Sequence, residues 1–436
     1  MTAHPILLQK KLARVVDLYA RKYHIREEEA LGCLYKSELY SLLRAGISDL
    51  HCMSDDYLTE ELHEEWITKG TQSPNPAPFS PKKGRIPMAQ TKPIPGAHGD
   101  VYIPFNQRCG VLSPVYFTRD LSPEGLKKIF DRVSAPLQGK IAVKLHTGEA
   151  EGPNFLPRPW VKALFEDRLQ NAAIVETNSY YEGSRYTTPQ HRQTLETNGW
   201  TFCPVDILDE EGAATLPVRG GKWLEEIHVG KNLPGYDSLL ALTHFKGHVC
   251  GGFGGSNKNL GIGCADGRIG KAEIHTTPGQ DDLWDITQEE FMERMTESTW
   301  ATVDHFAGRC AFINVMRNMS VSCDCEGCEA EPVVTPDVGI VAGLDILSVD
   351  AACVDLVYAL PQNGGEALIE RMESRHGLRQ LTYMQELGMG SPRYTLLDID
   401  NGDAPLTPEE AVAGILPGWR PDSYNTFPGR NFGERE

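Results

Sequence analysis

Three cysteines lie within six residues of one another, in the segment Cys323-Asp324-Cys325-Glu326-Gly327-Cys328. Thiols this close can converge on one metal, and soft thiolates select iron–sulfur clusters, iron, zinc or nickel. Most clusters use four cysteines, so a further ligand must come from elsewhere, and the candidates are Cys264, Cys250 and His275. The spacing is neither a zinc-finger pair nor a ferredoxin run. The segment therefore predicts a cluster or a single metal ion without identifying it, with an unliganded cysteine loop as the alternative.

Residues 244–275 hold nine glycines in 32 positions, together with His, Lys, Asn and Cys. Glycine lets the backbone approach a ligand closely, and a strand that leads into such a segment exposes N–H groups to an anion. The spacing fits neither a Walker loop nor a Rossmann fingerprint. We expect a ligand site here rather than a structural loop with surface lysines. The binding candidates are His244, Lys246, Gly254, Gly255, Asn257 and Asn259, and Lys258 is expected to anchor an anion or to react covalently.

Candidate acids and bases follow the predicted strands. His146 and Glu149 come at the end of one strand, and His248 lies in the glycine-rich segment. Imidazole and carboxylate groups at a strand end can exchange protons with a substrate, although a strand-end histidine is often only hydrogen bonded. Asn178 and Arg185 follow the next strand and would position a carboxylate or phosphate, with helix capping as the alternative for this polar cluster.

The elements that position these residues alternate between strands and helices. Apolar runs predict strands at 115–118, 140–148, 172–177, 201–207, 238–245, 310–316 and 338–344, and helical spacing predicts helices near 123–133, 159–169, 188–198 and 288–306. Ser122 and Pro123 mark a capped helix start. This order predicts an α/β fold, a mainly parallel sheet with flanking helices, whose active site lies at the carboxyl ends of the strands.

The chain divides by composition into four parts. Residues 1–70 have helical periodicity and predict a small helical accessory module, which is a candidate for binding a protein partner. Residues 71–97 contain seven prolines and predict a linker or extended arm. Residues 98–400 form the predicted α/β domain that binds the metal and the ligand, and residues 401–436 are a C-terminal extension.

Composition excludes several classes of partner. The 436 residues carry a formal net charge of −18, which disfavours nucleic acid and anionic membranes because both are polyanions. No apolar run approaches the roughly 20 residues of a membrane span, and the first residues lack the pattern of a signal peptide. We therefore expect a cytoplasmic protein, in which eleven cysteines serve purposes other than structural disulfides.

Several segments together resemble one bacterial and archaeal family. They are KIAVKLHTGE, VETNSYYEGSR, LTHFKGHVCGGFGGSNKNLGIGCADGRIGK, NMSVSCDC and PDVGIVAGLDILSVDAACVDLV, in this order. The resemblance spans about residues 110–400 and is to the family called domain of unknown function 362, whose members are often described as Fe–S centre proteins. It implies an iron–sulfur cluster or another metal. Many members carry a two-cluster ferredoxin insert after the glycine-rich segment, whereas residues 271–284 here contain no cysteine.

Two further resemblances are weaker. Leu50-His51-Cys52-Met53 and residues 56–62 resemble the small helical domain of unknown function 3791, which implies an accessory module. His248, the run Gly252-Phe253-Gly254-Gly255, Lys258, Gly261-Ile262 and His275 fall in the order of a loop of the lactate racemase family. That likeness implies histidines that transfer protons or hydride and ligate nickel, and a lysine that anchors the cofactor.

These observations favour a metal-dependent enzyme of redox or isomerase type, acting on a small anionic metabolite. The alternative is an electron-transfer or metal-carrying scaffold protein without turnover of its own. The lack of a ferredoxin insert argues against an electron-transfer protein, since a single cluster cannot relay electrons to a second one within the chain. A third hypothesis is an interaction protein that recruits a partner through residues 1–70.

Overall fold

The structure is a computed structural model that describes residues 5–23, 25–37, 39–40, 43, 53–69, 100–277, 286–361, 364–416, 426–427 and 430–431. The predicted proline-rich linker at 71–97 lies outside these residues, as do Leu50, His51 and Cys52 of the accessory-module motif. The chain forms two compact units. One comprises Met1–Lys92 with Trp284–Thr287, and the other comprises Pro93–Leu283 with Gln288–Glu436.

The first unit is helical. Its helices are α1 (Pro5–Tyr23), α2 (Glu27–Tyr35) and α3 (Asp55–Lys69). Apolar residues from all three helices are buried together, among them Val15, Leu34 and Leu58. Asp55 of α3 also accepts ion pairs from Lys11 and Arg14 of α1, at 3.2 and 2.6 Å. This unit therefore has its own core and its own charged contacts.

The second unit contains the remaining strands and helices. Its strands are β1 (Ser113–Thr118), β2 (Ile141–Lys144), β3 (Ala172–Glu176), β4 (Val205–Ile207), β5 (Ala213–Pro217), β6 (Glu226–Gly230), β7 (Ser238–His244), β8 (Lys246–His248), β9 (Gly252–Gly254), β10 (Cys310–Met316), β11 (Gly339–Gly343), β12 (Tyr394–Asp398), β13 (Ala404–Leu406), β14 (Thr426–Phe427) and β15 (Arg430–Asn431). Its helices are α4 (Pro123–Val133), α5 (Arg158–Arg168), α6 (Thr188–Thr197), α7 (Ser256–Gly263), α8 (Gly270–His275), α9 (Gln288–Phe306), α10 (Ile346–Tyr358), α11 (Glu366–Ser374), α12 (Arg379–Glu386) and α13 (Pro408–Ala411). None of the described helices combines the length and apolar character needed to cross a membrane.

Nine strands form one mixed sheet in the order β13-β12-β1-β11-β10-β7-β2-β3-β4. Neighbouring strands are parallel, except that β11 is antiparallel to β1 and β10, and β13 is antiparallel to β12. Every residue of β7 and β10 is buried, as expected for central strands covered on both faces. The α/β fold with a mainly parallel sheet and flanking helices is therefore confirmed.

Local signals explain where the flanking helices begin. The Ser122 hydroxyl accepts a hydrogen bond from the Gly125 N–H at 3.1 Å, and Pro123 occupies the first turn of α4, where no backbone donor is needed. The apolar side of α4 then packs into the core of the sheet through Ile129 and Phe130. The predicted capped helix start at Ser122 is confirmed.

The strand order reverses between β2 and β7. The chain passes outward from β2 to β3 and β4, returns to β7 beside β2, and continues on the other side to β10. Connections leave such a point in opposite directions, which opens a crevice beyond the carboxyl ends of the two strands. The residues that follow β2 and β7 therefore line that crevice.

Three sequence predictions differ from the structure. Residues 140–148 were expected to form one strand, but β2 ends at Lys144, and the strand expected at 201–207 begins only at Val205. The glycine-rich segment is a short hairpin of β8 and β9 followed by α7 and α8, rather than a loop. The glycines in this segment allow its strands and helices to pack closely against their neighbours. A side chain at Gly247 would overlap the backbone of Val321, and one at Gly261 would overlap the backbone of Met295.

Deleting residues 1–70 is expected to leave residues 100–400 folded, because the nine-stranded sheet is packed around its own apolar core. Far-ultraviolet circular dichroism and the bound metal per chain measure the outcome. Both should be retained by the truncated protein. Loss of both would show that the sheet depends on the N-terminal helices.

Candidate functional site

A buried carboxylate fastens the cysteine segment to the end of β7. Asp324 Oδ2 lies 2.8 Å from His244 Nδ1 and 3.0 Å from Lys246 Nζ. His244 Nε2 faces the Arg317 carbonyl at 2.6 Å, so both ring nitrogens point at acceptors. Burial alone would raise the pKa of Asp324, but His244 and Lys246 hold it well below its usual range. Asp324 is therefore an anion held by the Lys246 ammonium and the His244 ring, and Cys323 and Cys325 are its neighbours in the chain.

Two of the cysteines meet a histidine of the glycine-rich segment. One ligand atom each from His248, Cys323 and Cys325 lies within 4.8 Å of the other two. Cys323 and His248 are buried, and Cys325 is partly exposed. Sulfur and imidazole nitrogen are ligands that zinc, nickel and iron accept. Among the described residues this group could hold a metal ion.

The Cys323 sulfur lies in a positive environment. The Lys258 ammonium donates to Cys323 Sγ at 3.4 Å, and the Cys325 N–H donates to the same sulfur at 3.4 Å. Burial opposes charge on this thiol, but a hydrogen bond from Cys325 and the charge of the Lys258 ammonium lower its pKa well below the usual value. The hydrogen bond with Cys323 and burial both raise the pKa of Cys325. The Lys258 ammonium therefore favours negative charge on Cys323 over negative charge on Cys325.

A second buried carboxylate orients His146 at the end of β2. Glu176 Oε1 accepts hydrogen bonds from Lys144 Nζ at 3.1 Å and from His146 Nδ1 at 3.2 Å. With the proton held on Nδ1, the neutral ring keeps Nε2 free to accept. That Nε2 is buried and has no hydrogen-bond partner among the described residues. Burial and Arg185 lower the pKa of His146, while Glu176 and Cys323 act in the opposite direction. Glu176 therefore orients the His146 ring so that its Nε2 is available as a hydrogen-bond acceptor.

Glu149 and Arg185 form an ion pair with each other. Arg185 Nε donates to Glu149 at 2.9 Å, and its Nη1 donates to Glu176 at the same distance. Glu149 also accepts hydrogen bonds from the Tyr181 hydroxyl and from Ser184. Burial would raise the pKa of Glu149, but Arg185 and these donors lower it. The structure thus places both residues in a buried ion-pair network, which holds the segment after β3 against the segment after β2.

The asparagines of the site also make internal contacts. Asn259 accepts from Lys144 Nζ and donates to the Lys144 carbonyl, both at 3.0 Å. Asn178 donates to Thr188 at 3.0 Å. Asn257 donates to Thr296 at 3.0 Å, and its Oδ1 is buried without a hydrogen-bond partner among the described residues. These contacts tie α7 to β2 and α9, so these side chains shape the walls of the site.

The two predicted ligand-binding glycines lie at the junction of β9 and α7. Gly254 ends β9, and a side chain there would contact the stems of Lys246 and Lys258. Gly255 precedes α7 and packs against Asp350, whose carboxylate accepts from the Ser256 N–H at 2.7 Å. This junction sets the direction of α7 and thereby the position of Lys258.

Four predicted metal ligands, Cys328, Cys264, His275 and Cys250, lie outside the group formed by His248, Cys323 and Cys325. Cys328 is exposed, and its sulfur lies 3.3 Å from the Glu151 carbonyl oxygen. Cys264 ends α7 as a buried thiol, and burial raises its pKa to about 12. His275 donates from Nδ1 to the Lys271 carbonyl at 2.6 Å, and burial lowers its pKa to about 4. The structure does not bring these side chains into the cysteine pair.

Sequence reasoning missed three charged residues that organise the site, namely Lys144, Glu176 and Asp324. Each is at least 96 % buried. A signal for two of them was present, since Lys144 and Glu176 are charged residues at the ends of apolar strands, where burial requires a partner. Asp324 had no such signal, because its partners His244 and Lys246 are 80 and 78 positions away.

Replacing Asp324 by Asn is expected to lower the free energy of unfolding by about 3–5 kcal/mol, because His244 and Lys246 lose a buried counter-charge. The native pKa of Asp324 is depressed, so its contribution is fully present above about pH 4 and is lost as the pH falls below that value. Urea unfolding of both proteins at neutral and acidic pH measures this difference. The exposed pair of Lys162 and Glu166 provides a control, since Glu166→Gln should cost less than about 0.5 kcal/mol. Equal losses for the two variants would contradict the role of Asp324.

Replacing Lys258 by Met is expected to shift alkylation of Cys323 to higher pH, because the nearest ammonium no longer stabilises the thiolate. Each pKa unit slows the reaction at neutral pH by roughly tenfold. Iodoacetamide labelling with peptide mapping measures the profile, in a background where the exposed Cys109 and Cys328 are serine. Lys258→Arg keeps the charge and should shift the profile less. An unchanged profile for Lys258→Met would show that Lys258 does not act on this sulfur.

Comparison with known proteins supports the sequence resemblance. No curated protein matches the chain. Among solved structures, the chain has a likeness to the lactate racemase apoprotein from Thermoanaerobacterium thermosaccharolyticum, with 11 % identity and a TM-score of 0.30 over 66 % of this chain and 84 % of that one. A likeness this weak carries no argument about the site. The family model described as "Domain of unknown function (DUF362)" matches residues 141–355, which include β2, β7 and the cysteine segment. Residues 141–355 therefore belong to the DUF362 family.

Proposed function

We propose that this protein is a metal-dependent enzyme of redox or isomerase type that acts on a small anionic metabolite. The observation that carries the proposal is the convergence of His248, Cys323 and Cys325 within 4.8 Å at the carboxyl ends of β2 and β7. Two sulfurs and one nitrogen suit a single zinc, nickel or iron ion better than a cluster that needs four thiolates. Three protein ligands leave a coordination position open, as catalytic metal sites do.

The two cysteines are expected to provide most of the metal affinity. The Gly251 N–H donates to His248 Nδ1 at 2.9 Å, so the neutral ring carries its proton on Nε2. Histidines that bind metals normally donate their second nitrogen to an acceptor, which is the opposite arrangement. His248 must therefore lose or exchange this contact to bind a metal, and it is the weaker of the three ligands.

The charges around the cysteine pair suit an anionic substrate. The stems of Lys246 and Lys258 both lie within 4 Å of the position that a side chain at Gly254 would take, and Lys258 lies beside the sulfur of Cys323. An ammonium group held in a crevice attracts carboxylate or phosphate oxygens. His146 offers the free Nε2 as the base or acid, and Glu176 fixes its tautomer. A bound metal would supply Lewis-acid or redox chemistry beside these residues.

Two further expectations belong to this proposal. All ten cysteines among the described residues are free thiols, which is typical of a reducing compartment and supports a cytoplasmic location. The helices of residues 1–70 expose Tyr35 and Trp66, the kind of aromatic side chain that protein interfaces favour. We assign this unit to the binding of a protein partner.

Titration of the purified chain with zinc or cobalt under anaerobic conditions tests the metal site. One ion per chain is expected, with a thiolate-to-cobalt absorption band. Cys323→Ser and Cys325→Ser should each weaken binding by more than about 100-fold, and His248→Ala should weaken it by about 10–100-fold. Cys328→Ser is the matched control, because this thiol lies outside the group and its loss should leave binding unchanged. A metal-free chain, or one that loses metal only with Cys328→Ser, would contradict the proposal.

A further inference from the structure

The sulfurs of Cys323 and Cys325 are close enough to form a bond with each other. They lie within 4.8 Å, and the Cys325 N–H is hydrogen bonded to Cys323 Sγ at 3.4 Å. A disulfide is about 2.05 Å long, so the two sulfurs need to approach by less than about 3 Å. Rotation of the two side chains about their Cα–Cβ bonds can provide such a movement without unfolding the segment.

The two sulfurs differ in access and in charge environment. Cys323 is completely buried, whereas Cys325 is partly exposed. The Lys258 ammonium lies 3.4 Å from Cys323 Sγ and is placed to stabilise negative charge on that sulfur. Cys325 is therefore the sulfur that a disulfide in solution can reach, and Cys323 is a neighbouring buried sulfur that can attack Cys325 in turn.

We propose that Cys323 and Cys325 form a two-electron dithiol–disulfide couple that reacts with low-molecular-weight disulfides. The couple itself depends only on the geometry of the two cysteines. Its consequence rests on the proposed function, since a disulfide removes both thiolates from the metal site and releases the ion. The same residues would then bind a metal when reduced and exclude it when oxidised.

The reaction with a disulfide of the form RSSR takes two steps. Cys325 gives its proton to water, and its thiolate attacks one sulfur of RSSR, which forms a mixed disulfide and releases one thiolate, RS⁻. The thiolate of Cys323 then attacks Cys325 Sγ, which forms the Cys323–Cys325 bond and releases the second RS⁻. Two protein thiols are oxidised and one RSSR is reduced to two RSH, after both released thiolates take protons from water.

The sequence alone favours a different pair. Cys325 and Cys328 have the C-x-x-C spacing of many redox motifs. In the structure, however, Cys328 lies outside the group of three ligand atoms, and its sulfur faces the Glu151 carbonyl at 3.3 Å. The identity of the linked pair therefore distinguishes the tertiary geometry from the sequence spacing.

The test is oxidation of the full, metal-free chain with excess oxidised glutathione, followed by peptide mapping of disulfides and zinc titration. We expect a Cys323–Cys325 link, a loss of zinc binding of at least 100-fold, and recovery of binding after dithiothreitol. Cys323→Ser should stop at a mixed disulfide of glutathione with Cys325. Cys325→Ser should leave Cys323 reduced, and Cys328→Ser should behave as the wild type.

A Cys325–Cys328 link, or persistence of both thiols while Cys109 and Cys328 react, would overturn the couple. A chain that forms the Cys323–Cys325 link but never binds zinc, cobalt, nickel or iron when reduced would retain the couple and refute the proposed metal site. Peptide mapping and metal titration therefore report on the two proposals separately.

Discussion

The contact of Asp324 with His244 and Lys246 determines the geometry of the site. An ionised carboxylate that is almost fully buried is stable only with opposite charge and hydrogen bonds around it, and here the His244 ring and the Lys246 ammonium provide them from the end of β7 and the start of β8. Since Asp324 lies between Cys323 and Cys325, this one contact places both sulfurs at the carboxyl edge of the sheet. The cysteine segment would otherwise be a surface connection between β10 and β11.

Charge pairing continues through the rest of the site. Lys144 faces Glu176, and Arg185 joins Glu176 to Glu149. Lys258 differs, because the hydrogen-bond partner that the structure gives it is the Cys323 sulfur. A lysine in this position favours a negative ligand beside it, whether that ligand is the thiolate itself or a substrate anion. The network thus holds the walls rigid and leaves charge at the cysteine pair available for binding.

Close packing of glycine brings the elements near enough for these contacts. Gly247 allows β8 to approach the backbone of Val321, just before the cysteine segment, and Gly261 allows α7 to approach α9. The first approach places His248 beside the sulfurs, and the second helps to fix the helix that carries Lys258. Gly247 and Gly261 of the glycine-rich segment therefore serve to pack the protein against itself.

The sequence by itself determined the α/β class, seven of the nine strands in the main sheet, the helix start at Ser122 and the cysteine and glycine-rich segments that form the site. These features depend on local periodicity, capping and composition, which neighbouring residues in the chain reveal. Tertiary structure decided which residues meet. Cys328 is three positions from Cys325 but faces elsewhere, while His248 is 75 positions from Cys323 and lies beside it. Tertiary structure also decided that Arg185 and Glu149 neutralise each other. The partners of buried charges come from strands that the sheet brings together, and spacing along the chain does not reveal that proximity.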